Sequence, residues 1–155
     1  MNTVLPLAAG LLFVSLFGCL NAHGAQPLPI RSLAKGAFSG IKAARQEVVR
    51  GAGQWETLWK QHSTSAGSVE KIPAVDFSKE MVIAATMGEQ RTGGYSIEIV
   101  RVEPKGTTLS IAVRLSSPPP GAITIQALTA PFHFVAVPRS DLKAEFVEAD
   151  AAQKK

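Results

Sequence analysis

Met81–Val102 reads MVIAATMGEQRTGGYSIEIVRV, two apolar runs separated by Gly88 and by Thr92-Gly93-Gly94, which closes onto Tyr95. The runs read as two strands joined by a glycine-rich turn, a central hairpin on which the rest of the chain is built. Consecutive glycines accept a positive φ that any β-carbon resists, so the backbone can reverse tightly or approach a partner closely.

Downstream of this stretch, Val102 to Thr107 is a turn by composition. Leu109, Ile111, Val113 and Leu115 then alternate with Ser110, Ala112, Arg114 and Ser116. Period two of this kind belongs to an antiparallel sheet with one face covered and one face wet. Ser117-Pro118-Pro119-Pro120-Gly121 interrupts the sheet, because proline donates no ladder hydrogen bond. Strand character resumes over Ile123 to Leu128, bends at Thr129-Ala130-Pro131, continues from Phe132 to Val137 and ends at Pro138. A last strand spans Lys143 to Val147, and residues 149–155 form a small, charged tail that frays.

Upstream, Pro73 to Glu80 leads into the hairpin, with Asp76 placed to brace the turn through its side chain. Before it lies a polar surface loop, Ser63 to Lys71. Trp55, Leu58, Trp59 and His62 stand at i, i+3, i+4 and i+7, which predicts one amphipathic helix over Gly53 to His62 with both tryptophans against the sheet. Gln46 to Arg50 reads as a strand, Gly36 to Ile41 as a short edge strand or turn, and residues 26–37 as an extended tether containing Pro27 and Pro29. The fold expected is α+β: a mainly antiparallel sheet or roll of six or seven strands with one amphipathic helix packed on it, occupying residues 38–148.

Of 155 residues, 46% are apolar and 18% charged, values of a globular chain with one ordinary core. Residues 1–25 read as an export signal: Met1 to Leu20 carries no charged side chain, and Val4 to Leu20 is mostly apolar. Two exits compete. Leu16-Phe17-Gly18-Cys19 resembles a lipobox, which would acylate Cys19, whereas Ala22-His23-Gly24 offers the small residues that a soluble-export peptidase reads. With Cys19 as its only cysteine, the exported domain is expected to hold together without a disulfide. The net charge of +4 favours anionic surfaces only weakly, and no Lys/Arg run is interleaved with aromatics as nucleic-acid binding would require. Membrane contact is therefore expected only through a lipid on Cys19.

Reactive chemistry has little to rest on. Gly36-Ala37-Phe38-Ser39-Gly40 has the wrong spacing for a nucleophile elbow, and His23, His62 and His133 fall in a tether, at a helix end and in a strand, without a neighbouring ligand pair. Thr92-Gly93-Gly94 lacks the Gly-Lys-Ser/Thr and the following helix of a phosphate loop. Non-enzymatic work without cofactor or metal is the expectation, with His62 set against the helix dipole and His133 a satisfied sheet residue.

Trp55 and Trp59, then Pro73, Asp76-Phe77, Glu80-Met81-Val82, Gly88-Glu89, Thr92-Gly93-Gly94-Tyr95-Ser96-Ile97, Pro120-Gly121 and Thr129-Ala130-Pro131-Phe132 follow an order that resembles the PrcB C-terminal domain family. The likeness runs from Phe38 to Val147, with Thr-Gly-Gly-Tyr its most specific element. It implies an exported, often lipid-anchored accessory subunit that associates with and stabilises a subtilisin-like surface protease. A fainter likeness sets Thr92, Gly94 and Tyr95 on three positions of the N-P-T-T-G-Y loop of chagasin-like cysteine-protease inhibitors, with Gln90, Arg91 and Gly93 departing from it.

The surface expected to meet a partner is one convex edge made of Arg91, Thr92, Gly93, Gly94 and Tyr95, of Pro119, Pro120 and Gly121, and of Thr129, Pro131 and Phe132. The same residues also read as turns chosen for geometry, with Tyr95 over the glycines and the prolines as a spacer. The partner would be another envelope protein, a protease among the candidates. A protease inhibitor acting through Thr92 to Tyr95, and a structural envelope lipoprotein, stand as alternatives.

Overall fold

The computed structural model describes residues 26–64 and 71–149. Residues 1–25, which read as an export signal and include Cys19, most of the Ser63–Lys71 loop and most of the tail lie outside the described residues. Within them the order is β1 (Arg31–Gly36), β2 (Ala44–Val49), α1 (Ala52–Ser63), β3 (Glu80–Met87), β4 (Ser96–Lys105), β5 (Thr108–Ser116), β6 (Phe132–Pro138) and β7 (Lys143–Glu148). The fold is α+β, as the periodicities predict, and its strands form two sheets, ordered β1-β6-β3-β2 and β4-β5-β7.

Three layers result. Along β3 the side chains alternate between two cores: Met81, Ile83 and Ala85 pack on the three-stranded sheet, while Val82 and Ala84 pack under the helix. β6 splits in the same way, with Val135 and Val137 on the first side and Phe132 and Phe134 on the second. That is why both strands read as nearly continuous apolar runs rather than as alternation. On the helix side Trp55, Leu58, Trp59 and His62 are buried, as their spacing requires. Phe134 lies 5.8 Å edge-on from Trp55 and 5.1 Å from Phe132.

The central stretch is not a hairpin. β3 pairs with β2 and β6, and β4 pairs with β5, so residues 88–95 carry the chain from one sheet to the other. The reason is burial: β3 is apolar on both faces and sits inside a sheet, whereas β4 buries only Ile97, Ile99 and Val102.

Three further expectations change. The tether does not stay a tether, because Arg31–Gly36 is β1, paired with β6 from Arg31↔Ala136 to Gly36↔Phe132. β7 runs parallel to β5, whereas the other strand pairs among the described residues are antiparallel. Ile123 to Leu128 forms no strand. Of the short Gly36 to Ile41 segment, Gly36 ends β1 and residues 37–41 form no strand. Asp76 braces its turn as expected, accepting from the Ser78 amide at 3.0 Å and from the Ser78 hydroxyl at 2.5 Å.

At the end where β3 begins, two arginines lace the chain turns together. Arg139 Nη1 donates to the carbonyls of Arg50 at 3.1 Å and Phe77 at 2.9 Å, and Arg50 donates to those of Ser140 and Leu142. The opposite end, where β3 gives way to Gly88, carries the candidate site.

Candidate functional site

Two segments meet at that end, residues 88–95 between the sheets and residues 117–131 between β5 and β6. Gly88 turns the chain with φ +80, and a β-carbon there would stand 2.8 Å from the Ala44 amide nitrogen. Gln90 and Thr129 then form an antiparallel bridge with N–H to carbonyl distances of 2.7 and 2.9 Å. The Thr129 hydroxyl donates to the Thr92 carbonyl at 2.9 Å, and the Gly93 amide donates to the Ile125 carbonyl at 3.0 Å.

The two glycines matter here for separate reasons. A β-carbon on Gly93 would come within 2.6 Å of Ile125 Cγ1, so a side chain there would push the exposed Ile125 side chain aside. Gly94 has φ +88, and a β-carbon there would stand 2.9 Å from Pro118 Cβ, so strain and contact both disfavour a side chain. Across the gap, the Ala122 amide donates to the Pro119 carbonyl at 3.0 Å, with Pro120 second and Gly121 third at φ +79. Proline followed by a glycine of positive φ is the chemistry that a type II turn requires.

The structure thus brings the three predicted pieces together, but not all of them face outward. Arg91, Gly94, Pro119, Pro120 and Gly121 are exposed, and Thr92 and Tyr95 are half-buried. Gly93, Thr129, Pro131 and Phe132 are buried. Phe132 stacks against His62 with ring centroids 4.2 Å apart, in the helix-side core. Those four residues hold the loops in place and leave contact to others, because each is used up by a packed neighbour or a hydrogen bond.

Ile123, Ile125 and Leu128 are the contact candidates that a strand reading hides. They are 103%, 59% and 60% exposed. Phe38, next to the Ala37 carbonyl that accepts from Ala130, and Leu115 near the end of β5 are also exposed at this end. Of the exposed large apolar residues among those described, only Val147 lies elsewhere, on β7. A sequence signal for this existed: Ile123 to Leu128 is bracketed by Pro118–Gly121 and by Thr129-Ala130-Pro131, which leaves a short apolar run between two breaks.

A second cluster invites a catalytic reading and does not sustain it. His133 Nε2 lies 3.1 Å from Ser32 Oγ, beside Glu98, which pairs with Lys35 at 2.7 Å and Arg114 at 3.3 Å. These residues line a shallow polar groove of about 610 Å³. Yet the Ile99 amide donates to His133 Nδ1 at 2.9 Å, so Nδ1 is bare and the proton resides on Nε2. His133 therefore donates to Ser32 instead of drawing a proton from it, the reverse of an activated serine. Burial, with Lys35 assisting, lowers the His133 pKa below its ordinary value and keeps the ring neutral. It is a satisfied sheet residue, as expected.

His62 lies buried, its Nδ1 3.0 Å from Ser39 Oγ, and its carbonyl accepts from the Gly40 amide at 2.8 Å, so the ring belongs to a packed helix end. Among the described residues no group of three or more His, Cys, Asp or Glu side chains could hold a metal, and no helix is long and apolar enough to cross a membrane.

Compared with known families, residues 81–138 match the one described as PrcB C-terminal, a span that runs from β3 to β6 and contains both site segments. No curated protein and no solved structure matches the chain.

Proposed function

We propose, from the match of residues 81–138 to the PrcB C-terminal family, that this chain is a non-enzymatic accessory subunit docking on an exported protease. The observation that carries this reading is the gathering of Ile123, Ile125, Leu128, Phe38 and Leu115 at one end of the molecule. Apolar groups left in water and gathered at one end of a molecule mark a surface that another molecule covers. The loops beneath them are already braced, so a partner bears little ordering cost on contact.

The reading includes export, supported by the uncharged apolar run before Cys19. The mass of the mature amino terminus separates an acylated Cys19 from cleavage after Gly24.

The docking test replaces Ile125 with a photocrosslinking residue in the full chain, produced in its own cells. The adduct should carry a protein whose peptides mass spectrometry identifies as those of a serine protease. The same residue placed at Lys79, at the opposite end, should give none. Equal adducts at both positions, or none at Ile125, would overturn the docking reading.

Inhibition through Thr92 to Tyr95 finds less support than docking through residues 122–128. Gly93 is buried, and the Thr92 carbonyl accepts from the Thr129 hydroxyl, so this loop serves as the support of its neighbour.

A further inference from the structure

We infer that the segment Ala122–Leu128 enters the substrate cleft of its partner protease as an added strand; this rests on the accessory-subunit reading and names where on the protease the domain sits. The segment is irregular, exposed and held at both ends. The Pro119–Ala122 turn fixes its start, and the buried bridge of Thr129 to Gln90 fixes its end.

Between those clamps the backbone is tied to its own domain through the Ile125 carbonyl, which accepts from Gly93. Thr124 and Ile125 lean on the glycines, while Ile123, Gln126 and Leu128 project into solvent. A chain presented this way, with Ile123 and Leu128 exposed and Gln126 Nε2 donating to the Thr124 carbonyl at 3.3 Å within the segment, suits a cleft that binds peptides by main-chain hydrogen bonds and pockets.

Charge narrows the occupant. Residues 117–131 contain no charged side chain, and on residues 88–95 Glu89 pairs with Lys42 while Arg91 has no ion-pair partner among the described residues. That pattern fits a neutral apolar cleft with an acidic rim, and it offers little to a phosphate-bearing surface. Holding the segment in its bound shape beforehand lowers the entropic cost of entering such a cleft.

The experiment uses the full chain and subtilisin as the probe protease, with a chromogenic peptide substrate. Competition for the cleft should raise the apparent KM about fivefold or more while kcat stays constant. Ile123→Ser and Ile125→Glu should abolish that rise, and Lys79→Ala should leave it intact, with circular dichroism confirming that each variant folds.

Subtilisin capped by fluorophosphonate should fail to bind. Equal binding of capped and free enzyme would overturn the cleft assignment and leave the accessory-subunit reading standing. An unchanged KM would overturn the assignment as well, and the Ile125 crosslink would then judge the accessory reading on its own. Vesicles of phosphatidylethanolamine and phosphatidylglycerol form the last arm: binding to them that Ile123→Ser abolishes would assign the segment to a lipid surface and sink the inference.

Discussion

The backbone amide of Ile99, on β4, donates to Nδ1 of His133, on β6, at 2.9 Å, and so joins the two sheets by one buried hydrogen bond. The bond falls where the β4–β5 register shifts, between Ile99 and Arg101, so a β-bulge at Val100 accompanies the amide that reaches across to β6. The stitch depends on protonation, because an imidazolium has no acceptor nitrogen. The folded His133 pKa lies below the unfolded value of about 6.5, through burial first and Lys35 second. An unfolded chain therefore takes up this proton first as pH falls. The stabilisation is complete above about pH 6.5 and is lost as pH drops from there through the folded value. Urea denaturation at pH 7.5, 6.5, 5.5 and 5.0 should show stability falling over the lower steps, and His133→Ala should flatten that part of the profile. The same variant should lose about 2–3 kcal/mol at pH 7.5, since it strands the Ile99 N–H and opens a cavity.

Gly93→Ala and Gly94→Ala should act differently from one another. At Gly93 the new β-carbon meets the side chain of Ile125, which is largely exposed and can swing away. Stability should fall by less than about 1 kcal/mol, while limited proteolysis within residues 118–128 accelerates because the brace is loosened. At Gly94 the residue must keep φ +88 against Pro118, so about 1–2 kcal/mol should be lost in thermal unfolding. Equal losses at the two sites would mean that the loops repack together as one unit.

How much of this was legible follows from where each residue's partners lie along the chain. The helix was readable because Trp55, Leu58, Trp59 and His62 express one local period. Thr92 to Tyr95 and Pro118 to Gly121 were readable as turns because glycine and proline report local backbone needs. The hairpin reading failed because strand pairing is a long-range choice: Val82 and Ile83 look alike in sequence, yet one faces the helix and the other the second sheet. β1 was missed because Arg31-Ser32-Leu33-Ala34-Lys35 has weak strand propensity and owes its form to β6 alongside. At the candidate site, Ile123 and Ile125 alternate as strand residues do, and only the absence of a pairing strand turns that alternation into an exposed segment.

Phe134→Ala should be among the most damaging single changes in the helix-side core. The ring is fully buried, with Trp55, Trp59, His62 and Phe132 around it. Truncation removes its apolar burial and leaves a cavity that β6, held on both sides by β1 and β3, cannot close. A loss of about 3–5 kcal/mol is expected. Against a total of about 5–15 kcal/mol for a domain, that leaves a protein unfolded in little denaturant. Tryptophan fluorescence in a urea titration reads this directly, since both tryptophans sit in the affected layer.

Replacing Ile123 and Leu128 together by serine should do the opposite. Their side chains lie largely in water in the free domain, at 103% and 60% exposure, so the folded state gives up almost no buried area when they are shortened. The midpoint of urea denaturation should stay within the equivalent of about 0.5 kcal/mol of the parent. What should change is everything that depends on a second molecule: binding of a hydrophobic dye such as ANS falls, self-association at high concentration falls, and the Ile125 photocrosslink to a serine protease disappears. Stability and contact are thus separable at this site, because the residues that hold the loops, Gly93, Thr129 and Phe132, are not the ones that project from them. Should the double variant unfold early instead, the two side chains must be packed in solution, and the apolar end would be part of the core.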